Sequence, residues 1–241
     1  MLSVFPLGFE ESEACGFVEL AGYAAASEVE GVCAQIDATR VTSVAPGWAT
    51  AWQEFHEPVV IGNLWLGPPW IGPPHGMTAV TIRPGMAFGT GAHATTRLCI
   101  ELLSEEPRGM LVDLGCGSGV LSIAARVLGF DPVLAVDIDR VAVEEARQHA
   151  VLNQVTLDVR HGDGAELGIT GPPLVVANLP ADELERALAA LKPTCAIISG
   201  FPADDLISPE GYRVSEQRED DGWGAARLQR LSSTDGDGVY S

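Results

Sequence analysis

Between Val112 and Val120 the chain reads VDLGCGSGV, an apolar run that ends on glycines and passes directly into residues suited to a helix. Gly115, Gly117 and Gly119 lack a Cβ, so the backbone can take unusual dihedrals and let a ligand lie against it near the amide-rich helix start. Asp137, in AVDIDR, falls at the end of the next apolar run, where its carboxylate would accept hydrogen bonds from both hydroxyls of a ribose. Asn178, in ANLP, falls at the end of a later run beside the same expected crevice. An amine attacks carbon only when neutral, and a free lysine needs roughly 4 to 5 kcal/mol to lose its proton near neutral pH. A carboxylate would favour the charged, unreactive form. The neutral amide oxygen of Asn178 would instead align the nitrogen lone pair without a full negative charge beside it. The alternative is an asparagine that caps a turn before Pro180.

The spacing of the glycines separates two cofactor classes. A dinucleotide fingerprint is GxGxxG, whereas here the third glycine comes early and is followed by Val120. S-adenosylmethionine carries no phosphate and needs room for its methionine portion, so the pattern favours a methyl donor over a nicotinamide dinucleotide. A tight turn without a ligand is the third reading. Asp113, just before the turn, is a candidate to hold the methionine ammonium directly or through water. HGDG at 161–164 follows the third run, making Gly162 and Asp163 candidates for an adenine pocket, with an ordinary turn as the alternative.

These residues need a scaffold that brings strand ends together. From residue 110 onward, apolar β-rich runs alternate with helical segments, the signature of a parallel sheet covered by helices. Strands are expected over 110–114, 133–136, 157–160, 174–177 and 195–199, and helices over 120–128, 141–152 and 181–191. Near the end, 212–218 and 225–231 flank the turn-rich EDDGWG and predict an antiparallel hairpin. The fold class expected is α/β, a Rossmann-like, mostly parallel sheet with that hairpin at its carboxyl end and a small α+β amino-terminal domain. Strands at 16–21 and 32–41, joined through a short helix at 24–29, are expected within residues 1–45. Residues 46–79, rich in tryptophan, proline and glycine, read as a linker that packs, starting as an amphipathic helix and passing into an extended strand. The cofactor-binding domain is expected over 80–232, and 233–241 reads as a frayed tail.

Composition narrows the setting. There are 14 basic and 33 acidic residues, giving a net charge of −19, which repels phosphate backbones and attracts cationic partners. The five cysteines are widely spaced without a CxxC pair, so neither a disulfide framework nor a zinc site is suggested. The amino terminus has no basic flank before its apolar residues, and no run approaches the length needed to cross a bilayer. A cytoplasmic monomer is expected.

The stretch PGMAFGTGAHATTR at 84–97 closely resembles the FGTGxHxTT signature of the ribosomal protein L11 methyltransferase family, and DLGCGSGVL, VDID and VVANL follow in the family's order. The likeness extends over about residues 48–231. It implies a class I methyltransferase fold, S-adenosylmethionine as cofactor, and contacts to it from Thr96, Gly115, Asp137 and Asn178. Phe88, Gly89, Thr90 and Gly91 are implied to form the adjoining loop. Gly89 and Gly91 permit a sharp backbone path, and Thr95 and Thr96 are placed to bond the cofactor carboxylate as a helix begins. His93 reads as a loop-holding hydrogen-bond partner more than as an acid or base. The resemblance also implies an amino-terminal ferredoxin-like domain that grips the ribosomal protein, for which the stretch before residue 48 is short, and the paired glycines usual near LKPTCAIISG are missing. The expected reaction is direct displacement by a neutral amine, a lysine or α-amino group of ribosomal protein L11, with no general base. Another protein or small amine as acceptor, or a cofactor-binding assembly module without turnover, are the alternatives.

Overall fold

Helix signals along the chain explain where the elements start and stop. The computed structural model describes residues 9–14, 17–22, 31, 57–83, 91–169, 171–205 and 207–232. The strand expected at 32–41, the helix at 24–29, the helical start of 46–79, the loop residues Phe88, Gly89 and Thr90, and the tail at 233–241 lie outside these residues. The chain divides into two units, Met1–Phe55 and His56–Ser241. In the first, β1 (Phe9–Ala14) pairs antiparallel with β2 (Phe17–Gly22).

The second unit opens with a small sheet. Strands β3 (Val59–Ile61) and β4 (Leu64–Gly67) form an antiparallel hairpin, and β5 (Thr78–Thr81) runs parallel to β4. The extended strand expected within the linker at 46–79 is thus two short strands and the start of a third. Ile61, Leu64, Leu66, Val80 and Ile82, in and just after this small sheet, join the same apolar cluster as Leu98, Leu102 and Ile123 of the following helices. Each such side chain contributes roughly 1.5 to 3 kcal/mol by leaving water.

The main body alternates as the sequence predicts. Helix α1 (Ala94–Glu105) precedes β6 (Leu111–Leu114), then α2 (Val120–Leu128), β7 (Val133–Asp137), α3 (Arg140–Leu152), β8 (Asp158–His161), β9 (Leu174–Asn178), α4 (Ala181–Leu191) and β10 (Cys195–Pro202). Asp139 starts α3 by accepting a hydrogen bond from the Val141 amide at 2.8 Å. Gly129, at φ +100°, stops α2 and returns its N–H to the carbonyls of Ala125 and Arg126. The chain closes with β11 (Tyr212–Asp220) and β12 (Trp223–Arg230), joined by Asp221 and Gly222, both at positive φ. Asp-Gly suits such a two-residue turn.

Seven strands form one sheet in the order β11-β12-β10-β9-β6-β7-β8. Strands β6 to β10 are mutually parallel, and β12 and β11 run antiparallel. The chain therefore steps outward from β6 through β7 to β8, then returns to the other side of β6 with β9. That reversal opens a crevice past the carboxyl ends of β6 and β9. One apolar cluster lies on the α1 and α2 face, and the other holds Leu184, Leu188 and Leu191 of α4 against Val112, Val175 and Ile198. Every strand from β6 to β9 has side chains buried on both faces except the edge β8, which explains why these runs are so continuously apolar. Among the described residues, no helix is long and apolar enough to cross a membrane. Cys99, Cys116 and Cys195 are free thiols.

Candidate functional site

The crevice at the strand reversal is a cleft of about 990 Å³. Its floor is the turn after β6. Gly115, Gly117 and Gly119 have φ of +64°, +52° and +80°, a region open to few residues other than glycine. A Cβ on Gly115 would stand 2.3 Å from the Leu179 side chain, and one on Gly119 would press on Ala146 of α3 at 3.0 Å. Gly115 and Gly117 line the cleft; Gly119 instead lets α2 and α3 meet behind the turn.

Four amides of this turn already have acceptors. Cys116 N–H donates to the Val136 carbonyl, Gly119 N–H to that of Cys116, Val120 N–H to the Ser118 hydroxyl, and Gly117 N–H to Asp137 Oδ2 at 2.8 Å. A pyrophosphate would find these donors occupied and a carboxylate beside them, which argues physically against a dinucleotide. Asp137 Oδ1 accepts from the Asp139 amide at 2.9 Å. Each oxygen keeps a further lone-pair direction, so the carboxylate can still receive two hydroxyls. Next to it Ile138 is 67% exposed, an apolar side chain that lines the cleft wall.

The opposite wall comes from β9 and the start of α1. His93 caps α1: its Nδ1 accepts from the Thr95 amide and lies 2.8 Å from the Thr95 hydroxyl. A ring nitrogen that accepts an N–H carries no proton, so the Thr95 hydroxyl must donate to it. The Thr95 oxygen then accepts from Asn178 Nδ2 at 2.9 Å. This chain of donors fixes the amide orientation and leaves Asn178 Oδ1 as the unused acceptor among the described residues. The His93 ring also meets the Trp223 ring edge-on, with centroids 5.0 Å apart. Arg97 of α1 pairs with Asp220 at 2.5 Å, and Arg218 and Arg227 of the hairpin pair with Glu105. Such pairs are individually weak when exposed, but as a network they hold α1, and with it Thr95, against the hairpin that carries Trp223.

Beneath Asn178 the chain passes over β10. Leu179 N–H donates to the Ser199 carbonyl at 3.1 Å, and Gly200, at φ +106°, lies so close that a Cβ would stand 2.6 Å from the Leu179 oxygen. At the far end, Gly162 donates to the Asp137 carbonyl at 2.9 Å, while Asp163 caps the turn at Gly164–Glu166 and pairs with Arg186 of α4 at 2.8 Å.

The structure thus brings Thr95, Gly115, Gly117, Asp137, Gly162, Asp163 and Asn178 to one cleft. Gly91, Thr96, Asp113 and Gly119 are not on its lining. Gly91, at φ +90°, packs on Leu66. Thr96 is as buried as Thr95, each 1% exposed, but one step along the helix turns its side chain about 100° from that of Thr95 and off the cleft lining. Asp113, expected to hold a bound ammonium directly or through water, points beneath the turn, 1% exposed, where Oδ2 accepts from Ser122 at 2.5 Å. Oδ1 has no partner among the described residues, and burial pushes this carboxyl up to about 7. Sequence reasoning passed over Ile138, Arg186, Gly200 and Trp223. Only Gly200 carried a signal, as an isolated glycine in a strand.

Comparison with known proteins bears out the family likeness and extends it nearer the amino terminus than the expected start at about residue 48. The family model described as Ribosomal protein L11 methyltransferase (PrmA) matches residues 18–228. The ribosomal protein L11 methyltransferase of Desulfitobacterium hafniense is 40% identical over 205 residues, covering 77% of this chain and 65% of that protein. That of Symbiobacterium thermophilum is 38% identical over 196 residues, covering 73% and 63%. That of Caldicellulosiruptor saccharolyticus is 43% identical over 150 residues, covering 60% and 49%. The chain therefore spans about half to just under two thirds of the length of these relatives. The crystal structure of ribosomal protein L11 methylase from Lactobacillus delbrueckii subsp. bulgaricus superposes with a TM-score of 0.61 at 27% identity, covering 71% of this chain and 96% of that one. With a family model matched along most of its length and relatives sharing about two residues in five, the chain belongs to the ribosomal protein L11 methyltransferase family.

Proposed function

We propose that the chain is an S-adenosylmethionine-dependent N-methyltransferase, cytoplasmic and acting on lysine or α-amino groups of ribosomal protein L11. The observation that carries this reading is the relay from Asn178 through Thr95 to His93, which leaves one neutral acceptor oxygen beside the glycine turn. The relatives named above carry ribosomal protein L11 in their names, and the net charge of −19 suits a cationic acceptor.

The cleft fits the cofactor's chemistry. Gly115 and Gly117 offer bare backbone, Asp137 has lone pairs left for a ribose diol, and Ile138 offers an apolar face for a base. S-adenosylmethionine, when bound, supplies a methyl group on a sulfonium to a neutral nitrogen in a single displacement. The residues of the chain act by position. Asn178 Oδ1 would accept an N–H of the incoming amine, orienting its lone pair while adding no charge that favours the ammonium. Thr95 keeps that amide from flipping. No side chain is assigned to take the proton. Holding two reactants in line supplies on the order of 7 to 11 kcal/mol, so orientation suffices as the main contribution.

The test is incubation of the full chain with methyl-labelled donor and purified ribosomal protein L11, followed by mass spectrometry of the acceptor. Methyl additions on L11 are expected, slowed about a hundredfold in Asn178→Ala with donor binding retained. Donor binding without label on L11 would refute the acceptor; wild-type turnover by Asn178→Ala would refute the role of that residue.

A further inference from the structure

One buried histidine takes no part in the cleft as described. His149 lies on α3, 3% exposed, and both of its ring nitrogens are engaged. Nε2 accepts from the backbone N–H of Arg83 at 3.0 Å, just past the end of β5, and Nδ1 lies 2.8 Å from the Ser118 carbonyl in the glycine turn. An N–H can only donate and a carbonyl can only accept, so the ring is held neutral with its proton on Nδ1. One turn further along, Asn153 Oδ1 accepts from the Thr81 N–H and its Nδ2 donates to the Thr81 carbonyl, both at 2.7 Å. Residues 81 and 83 face the same side of β5, and the Ile82 N–H goes the other way to Gly67 of β4. His149 and Asn153, four apart on one helix face, therefore stand in for a neighbouring strand along the open edge of β5.

The Ser118–Gly119 peptide is consequently held from two sides. Its N–H donates to the Cys116 carbonyl at 2.8 Å and its oxygen receives the His149 proton. We infer that His149 is a positioning residue for the donor site, clamping the glycine turn to the chain that leaves β5 and so setting the backbone path that a bound donor must meet. The inference rests on the methyl-donor reading above. Directly after Arg83 the sequence enters PGMAFGTG, so the clamp ties the approach to one family motif to the middle of another.

Calorimetric titration of S-adenosylmethionine into the full chain, with methyl transfer measured in parallel, provides the test. His149→Ala is expected to weaken donor binding about tenfold, with turnover at saturating donor within about twofold of wild type. In His149→Asn the side-chain amide reaches Ser118 from the place of Nδ1, and binding returns to within about threefold of wild type. In His149→Gln an acceptor serves Arg83 only, and binding stays weak. Melting temperatures of the two amide variants separate folding from this effect: a merely structural role would lower affinity in both alike. Equal donor affinity in the Asn and Gln variants, or wild-type affinity in His149→Ala, overturns the clamp. Absence of donor binding by the wild type overturns the donor reading and the clamp with it.

Discussion

Replacing Asp113 by asparagine probes a carboxyl that the fold keeps protonated up to about pH 7. The side chain sits under the glycine turn with one hydrogen bond, from Ser122, and one oxygen unpaired among the described residues. Loss of hydration outweighs the Ser122 bond, the charge of Asp137 adds to it, and the carboxyl titrates at about 7 instead of 3.8. Its native value lies above its unfolded value. Between these two the folded protein therefore keeps a proton that the unfolded chain has released, and stability falls as pH rises through the window. The gap from 3.8 to about 7, at ~1.4 kcal/mol per pH unit, amounts to about 4 kcal/mol once both states are ionised. Asparagine still offers Ser122 an acceptor and cannot ionise. Its NH2 group, placed where Oδ1 was, adds a fixed penalty of about 1 to 3 kcal/mol that does not vary with pH. The slope is therefore the readout. Urea unfolding followed by tryptophan fluorescence from about pH 4 to 8 should show Asp113→Asn gaining on wild type by about 4 kcal/mol across the range. A stability difference that stays flat over that range would refute the neutral carboxyl.

Two further perturbations address the cleft. Thr95→Val removes the hydroxyl that links Asn178 to His93, and methyl transfer at saturating donor should slow about tenfold; an unchanged rate would mean that Asn178 is oriented by other groups. Gly200→Ala sets a Cβ 2.6 Å from the Leu179 oxygen at a φ of +106°, a strain of about 1 to 3 kcal/mol that should lower the melting temperature by roughly 5 °C and weaken donor binding. Retention of both the melting temperature and the affinity would show that β10 can move aside.

The parallel core was legible because its strands are buried on both faces, so apolar runs, not alternation, marked them. Strand β9, expected at 174–177, ends one residue later at Asn178, and α2 and α4 match their expected spans. The small sheet was legible only as one extended strand within 46–79, not as three strands. Strands of three or four residues fall below any useful period, although Gly62-Asn63 is a hairpin signal between β3 and β4. Strand-end residues such as Asp137 and Asn178 could be found from sequence because a strand delivers its last side chain to a predictable place. Thr95 and Thr96 could not be separated, since adjacent helical residues point about 100° apart and nothing in the spelling says which one faces the cleft. Arg186 and Trp223 depend on how distant elements dock, which local pattern does not encode.

The place of β12 bears on biogenesis. This last strand in chain order lies between β10 and β11, and its first residue, Trp223, lines the cleft. A chain emerging from its own ribosome can lay down β6 to β10 while still unfinished, yet β11 has no neighbour until β12 arrives to separate it from β10. Nascent chains halted anywhere before residue 223 therefore lack the Trp223 side of the cleft, which comes only with the closing hairpin.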